Sequence, residues 1–293
     1  MRLRASVTNV GLLAGLLHTA AGVSSPCYLH FAPTQFRLIA PAGHDGVQIW
    51  ATLDVASVFS DYRIESHNQN EITVEVVAES FARALRSAAG ATEVMLRLGK
   101  RDGEPLLSLS IVMVSQTGAK LDVTQEVLVR ILRVSEMSLI TEPLCPTPDV
   151  YIVTPPLAEV KAMAEQIKPL ATHVCLSANH NGALRLAIVG SDVVGEATWT
   201  GLEHPSVQAP APSRPEANPH AFREVHLNVR ALQSVLNSAN VAKSTVACLC
   251  TGYCAVFYVY LNGQTDAYPT GQHASREGVN GVMNFVVSGL DPT

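Results

Sequence analysis

Charge is scarce in this chain. Asp, Glu, Lys and Arg together make up 15% of its 293 residues, and aromatic residues only 5%. With 47% hydrophobic residues and a mean hydropathy of +0.20, such a chain is not a disordered segment. No apolar run approaches the roughly 18 residues of a membrane-spanning helix. The longest stretches, Val10–Leu17 and Ala255–Leu261, are bounded by polar or turn residues. Basic residues are outnumbered, 20 Lys and Arg against 25 Asp and Glu. Bulk charge therefore does not hold the chain to nucleic acid or to an anionic membrane, although a local basic face is compatible with that balance.

Catalytic signatures are missing too. G-x-S-x-G, G-x-x-x-x-G-K-[S/T], G-x-G-x-x-G and H-E-x-x-H are all absent. The ten His are scattered. His44-Asp45 reads as a turn-capping pair, His173 and His226 as packed strand residues, and Asp61, Glu65 and His67 as part of a solvated loop over Asp61–Asn70. Cys27, Cys145, Cys175, Cys248, Cys250 and Cys254 include no C-x-x-C, and their spacings are not those of a zinc knuckle. They read as buried strand thiols, with no metal and no cofactor expected. The absence of an N-x-Ser/Thr site leans towards an intracellular chain whose thiols stay reduced.

The N-terminus has two readings. Met1-Arg2-Leu3-Arg4, an apolar stretch and Ala20-Ala21-Gly22 have the outline of a secretory signal. Thr8, Asn9 and His18 interrupt that outline, and Leu3, Ala5 and Val7 alternate with Arg2, Arg4, Ser6 and Thr8. Such alternation is the period of a half-buried strand. The favoured expectation is a strand followed by a short apolar helix, capped by Asn9 and running to about Gly22.

Strands are predicted at Cys27–Phe31, Phe36–Ala40, Val47–Leu53, Glu71–Val77, Glu93–Leu98, Leu106–Val114 and Val123–Arg133. A helix is predicted over Glu79–Ala89 and a shorter helical turn at Val55–Ser60. Ser135–Pro148, with three prolines and no sustained period, reads as a linker. Beyond it come a strand at Val150–Thr154, a helix over Leu157–Ile167 entered through Pro155-Pro156, and strands at His173–Ala178, Ala183–Val189 and Val193–Thr200. A Pro-rich loop, Pro205–Pro219, precedes a strand at Arg223–Val229, a helix over Arg230–Ala239, and strands at Ser244–Cys250, Ala255–Leu261 and Val282–Val287.

The halves repeat one plan. The helix near Gly11 matches the one at Leu157, and the helix at Glu79 matches the one at Arg230, at an offset of roughly 150 residues. Each time an alternating strand, Ile72–Val76 or Val225–Val229, feeds directly into a helix. The expected organisation is one domain over 1–134, a linker over 135–148 and a second domain over 149–293.

Three helices expose basic residues. Phe81, Ala84, Leu85 and Ala88 form one buried stripe, from which Arg83 and Arg86 project. Val160, Met163, Ala164 and Ile167 form a second, with Lys161, Glu165 and Lys168 off it. Leu232, Val235, Leu236 and Ala239 form a third, with Arg230, Gln233 and Asn237 projecting. These faces are either a weakly basic functional surface or ordinary solvated helix surface.

Several segments together resemble the Hus-type subunit of the DNA-damage checkpoint clamp, the heterotrimeric nine-one-one ring. They are the opening MRLRASV, GHDGVQIWATL at Gly43–Leu53, NEITVEV with ESFARALRSA at Asn70–Ala88, EPLCPTPDVYIVTPPL at Glu142–Leu157, and AFREVHLNVRALQSVL at Ala221–Leu236. The likeness runs in order along nearly the whole chain. Two departures stand out: the first helix, GLLAGLLHTAAG, has no Lys or Arg, and Asp266–Gly281 is longer than the family's last hairpin.

The resemblance implies an α+β sliding-clamp fold of two similar domains, each with two helices packed on antiparallel sheet. It implies a non-enzymatic nuclear scaffold for checkpoint signalling and DNA repair enzymes. Its partners would be Rad-nine type and Rad-one type subunits, a clamp loader, checkpoint and repair proteins, and double-stranded DNA encircled without sequence specificity. Arg83, Arg86, Lys161, Lys168 and Arg230 are then the DNA-facing candidates. One subunit edge would be Thr124–Arg133, with Val127, Val129 and Ile131 on a shared face. The other would be Asp192–Thr200, with Val193, Ala197 and Trp199. Met137, Leu139 and Ile140 in the linker would either anchor partner peptides or pin the linker to the sheet. Two other readings remain: a homotrimeric replication-type clamp, and a secreted two-domain β-rich enzyme or binding protein.

Overall fold

The computed structural model describes residues 1–114, 118–189, 194–205, 218–261 and 281–290. The chain divides into two compact units, one of Met1–Gly43 with Ile49–Glu142, the other of His44–Gln48 with Pro143–Thr293. Both are α+β with antiparallel sheets.

The first unit contains β1 (Arg2–Val7), α1 (Val10–Ala21), β2 (Cys27–Phe31), β3 (Gln35–Ala40), β4 (Val47–Asp54), α2 (Val55–Val58), β5 (Phe59–Glu65), β6 (Ile72–Val76), α3 (Ala78–Arg86), β7 (Glu93–Arg101), β8 (Glu104–Val114), β9 (Lys120–Ile131) and α4 (Val134–Met137). Its strands lie in the order β4-β3-β2-β6-β9-β8-β7-β1-β5. Alternation places the core: β4 buries Val47, Ile49, Ala51 and Leu53 and turns the residues between them outward. Phe31, Phe36 and Phe59 meet in that core, the last two edge to face at 5.5 Å. α1 is apolar nearly all round because it packs on both α3 and β3. Asn9 caps it, its Oδ1 accepting the Leu12 N–H at 3.0 Å.

The second unit contains β10 (Val150–Val153), α5 (Leu157–Ile167), β11 (His173–Ala178), β12 (Leu184–Val189), β13 (Val194–Trp199), β14 (Arg223–Asn228), α6 (Val229–Leu236), β15 (Ser244–Cys250), β16 (Cys254–Tyr260) and β17 (Gly281–Ser288). Its strand orders, β13-β12-β11-β14 and β17-β16-β15-β10, reproduce β4-β3-β2-β6 and β9-β8-β7-β1 of the first unit. The sequence repeat is thus a repeat of topology. α5 and α6 pair as α1 and α3 do.

Three details differ from expectation. Part of Asp61–Asn70, read as loop, belongs to β5, which pairs with β1. The register shifts between Arg4 and Ser6, and Asp61 has a φ of 47°. That bulge breaks the alternation by which a strand is recognised. α4 adds one helical turn where the linker was expected to begin without structure. α6 ends at Leu236 in a 3-10 turn over Asn237–Asn240, so Ala239, like Met163 on α5, is only half-buried. Cys145 is half-buried and the other five cysteines are buried thiols. Val193 and most of the loops Pro205–Pro219 and Asp266–Gly281 lie outside the described residues.

Removing the α1 cap tests this packing. Asn9→Ala should lower stability by about 1 kcal/mol in denaturant unfolding, because the Leu12 N–H loses its acceptor.

Candidate nucleic-acid and subunit interfaces

Helix surfaces position the basic candidates. Arg83 and Arg86 lie on the exposed side of α3, since Phe81, Ala82, Ala84 and Leu85 take the buried side. Arg86 Nη2 pairs with Glu79 Oε1 at 2.7 Å, two turns back along the helix. Both partners are half-exposed, so the pair contributes little stability and exchanges readily for another anion. In the second unit Lys161 Nζ donates to Asn237 Oδ1 at 3.2 Å, tying α5 to the turn after α6. Lys168 is exposed at the C-terminal end of α5. Lys161 and Lys168 line a shallow groove of about 310 Å³ with Glu165, Gln233 and Asn237.

Arg230 sits in the first turn of α6, behind its cap, Asn228, whose Oδ1 accepts the Arg230 N–H at 2.8 Å. A cation there opposes the helix dipole, at a cost of some tenths of a kcal/mol. No acidic residue occupies that turn. The helix therefore tolerates Arg230 against its own electrostatics. α1 exposes Gly11 and His18 and carries no Lys or Arg.

Both candidate edges are real edges among the described residues. β13 pairs with β12 alone. β9 pairs with β8 over Lys120–Leu128 and with β6 only over Val129–Ile131, so its side opposite β8 is open along Lys120–Leu128. The side chains depart from the sequence reading. Val127 and Val129 are 8% exposed and face the core of their own unit, and Ile131 is half-buried. The exposed apolar residues of β9 are Leu128, 59% exposed, and Leu121 near the start of the strand, 53% exposed. The signal for Leu128 was in the sequence: it falls in the polar phase set by Thr124, Glu126 and Arg130. On β13, Ala197 and Trp199 are half-buried and Glu196 and Thr198 exposed.

An ion network ties down the start of the linker. Arg130 pairs with Glu75 on β6 at 2.6 Å and with Glu136 in α4, while Glu136 accepts the Arg133 N–H at 2.8 Å. The three linker candidates consequently differ. Met137 lines a pocket of about 420 Å³ with Ile72, Leu132, His30, Glu71 and Thr73. Leu139 is 82% exposed and Ile140 half-buried. Leu144, not singled out from the sequence, is 90% exposed.

His30 is buried in that pocket, its Nδ1 2.8 Å from Thr73 Oγ1 and its Nε2 3.9 Å from Glu71. Burial lowers its pKa, with Glu71 opposing.

A family model described as "Hus1-like protein" matches residues 1–276. "Checkpoint protein hus1" of Schizosaccharomyces pombe is 31% identical over 275 residues, covering 92% of this chain and 96% of that protein. "Checkpoint protein HUS1" of Homo sapiens is 26% identical over 255 residues, covering 85% and 90%. Among solved structures, proliferating cellular nuclear antigen from Entamoeba histolytica matches with a TM-score of 0.70 at 12% identity, over 98% of both chains. The same antigen from Thermococcus kodakaraensis matches at 0.69 and 13% identity, over 98% of this chain and 100% of the other. These structures establish the sliding-clamp fold.

The His30 pocket yields a pH dependence. The unfolded chain takes up a proton near its ordinary pKa of about 6.5, which the folded pocket resists. The resulting stability is complete above that value and is lost as the pH falls below it. Urea midpoints should therefore drop between about pH 7.5 and 5.5, and drop less in His30→Gln. Equal slopes in both proteins would assign the effect elsewhere.

Proposed function

Because this chain belongs to the Hus1-like protein family, we propose that it serves as one subunit of a heterotrimeric ring clamp that encircles DNA at damage sites. In this reading the ring is a non-enzymatic nuclear scaffold for checkpoint signalling and repair enzymes. It is closed by Rad-nine type and Rad-one type subunits and opened by a clamp loader. The observation that carries the reading is the match over residues 1–276, in a chain whose β9 and β13 both present open strand edges.

Each open edge would be completed by a strand of a neighbouring subunit, backbone to backbone. Val127, Val129 and Ile131 would hold β9 in its own unit while the backbone pairs outward. Leu128, Ala197 and Trp199 would meet the neighbours' side chains. Val193 would extend the second edge. Met137, Leu139 and Ile140 would contribute an apolar margin for partner peptides.

The clamp would hold DNA by topology, so its bore needs only weak phosphate contacts. Arg83, Arg86, Lys161, Lys168 and Arg230 would supply them as point charges without reading sequence. A net charge of −5 is compatible with that.

Assembly decides the reading. Light scattering should find the chain alone to be a monomer, and a one-to-one-to-one complex after co-expression with Rad-nine and Rad-one type subunits. A homotrimer of the chain alone would point to a replication-type clamp, and a monomer indifferent to both partners would overturn the clamp reading. Leu128→Glu should weaken the complex while changing the chain's own stability by less than about 0.5 kcal/mol, since the residue is exposed. Arg230→Glu separates function from folding. It should raise stability by about 0.3–1 kcal/mol at low salt. In DNA binding by the assembled ring it should reduce the slope of log affinity against log salt by about 0.9.

A further inference from the structure

The sheet β13-β12-β11-β14 has two unlike faces. Val174 and Leu176 on β11 and Val225 and Leu227 on β14 are buried on one of them. Cys175 and Ser177 point to the other, opposite His226 and Glu224 respectively. The Cys175 thiol, the His226 imidazole and a Glu224 carboxylate oxygen thereby come within 4.8 Å of one another. Neither strand shows this grouping alone; the cross-strand register creates it.

We propose that Cys175, Glu224 and His226 form a binding site for a zinc-class divalent cation. The donor set is one soft sulfur, one imidazole nitrogen and one carboxylate oxygen, which suits a borderline-soft ion such as Zn²⁺ better than Mg²⁺ or Ca²⁺. Tetrahedral zinc holds such ligands about 2.0–2.3 Å from the ion, hence roughly 3.5 Å from each other. The trio, within 4.8 Å, is close to that spacing. Three protein ligands leave a fourth position for water.

The surroundings support the trio. Arg185 on β12 donates Nη2 to Glu224 Oε1 at 2.8 Å and Nε to Ser177 Oγ at 2.9 Å. Its guanidinium lies 4.2 Å from the centroid of the Phe222 ring. The carboxylate is thus fixed by an outer partner, as ligating carboxylates commonly are, and one of its oxygens remains for the ion. Among the described residues nothing hydrogen-bonds the His226 imidazole. Binding an ion there would release the Cys175 thiol proton, as at any cysteine ligand. Arg185 keeps the local charge from becoming strongly negative, which favours a modest affinity over the tight grip of an all-thiolate site. Bound there, an ion would cross-link β14, at the edge of its sheet, to β11.

Cobalt substitution tests the site on the reduced, chelator-treated full chain. Co²⁺ should give a thiolate-to-cobalt charge-transfer band saturating at one ion per chain, and Zn²⁺ should displace it. The band should vanish in Cys175→Ser and persist in Cys254→Ser. His226→Ala and Glu224→Gln should each raise the half-saturating concentration by about tenfold or more. Zn²⁺ should raise the unfolding temperature of the unmodified chain and raise that of His226→Ala less at the same concentration, a readout that does not depend on the cobalt band. Absence of the band, its survival in Cys175→Ser, or its loss in Cys254→Ser would overturn the assignment.

Discussion

A strand edge is a row of amides and carbonyls that must find partners, and among the described residues β9 and β13 each leave such a row open. Along β9 the open stretch is Lys120–Leu128; on β13 it is the whole outer side. Water satisfies these groups in the isolated chain, but a long open edge also invites unwanted pairing. Lys120, Asp122 and Glu126 on β9, and Glu196 on β13, are exposed charges that deter indiscriminate partners. Leu128 is an apolar exception on the same exposed face. The edges are thus guarded yet usable, as expected of strands that accept only particular neighbours.

Each unit contains the same construction. A strand gives way to a helix without an intervening loop, β6 to α3 and β14 to α6. At that junction the buried side chains change from every second residue to every third or fourth. The helix lies back on the sheet and leaves a narrow strip of solvated positions. Arg83, Arg86 and Arg230 fall on those strips because packing excludes them from the stripe. A chain with little charge can therefore still present its cations on helix surfaces, while its net charge stays negative.

Much of this was legible in the sequence, for local reasons. Alternation revealed β4, β6 and β14, helical spacing revealed α3, α5 and α6, and the repeat pointed to two units of one topology. β5 was hidden because a bulge at Asp61 interrupts its period and its outward residues are polar. Val127 and Val129 were recognised as a shared face, but periodicity does not say which way a face points. The burial of strand β9 against its own unit decides that. Glu75, Arg130 and Glu136 carry no local signal, because their meeting depends on the register of β6 with β9. The trio of Cys175, Glu224 and His226 was out of reach for the same reason: separations of tens of residues vanish only when β11 and β14 pair.

The chain has two tryptophans, Trp50 on β4 and Trp199 on β13, the equivalent strands of the two repeats. Both are half-buried, and Trp199 stands on a strand that pairs on one side only. Indole emission follows the polarity around the ring. The molecule thus carries a native fluorophore on one open edge and a matched internal reference on the corresponding strand of the other repeat. Anything that covers β13 alters the light from one indole and leaves the other as its control.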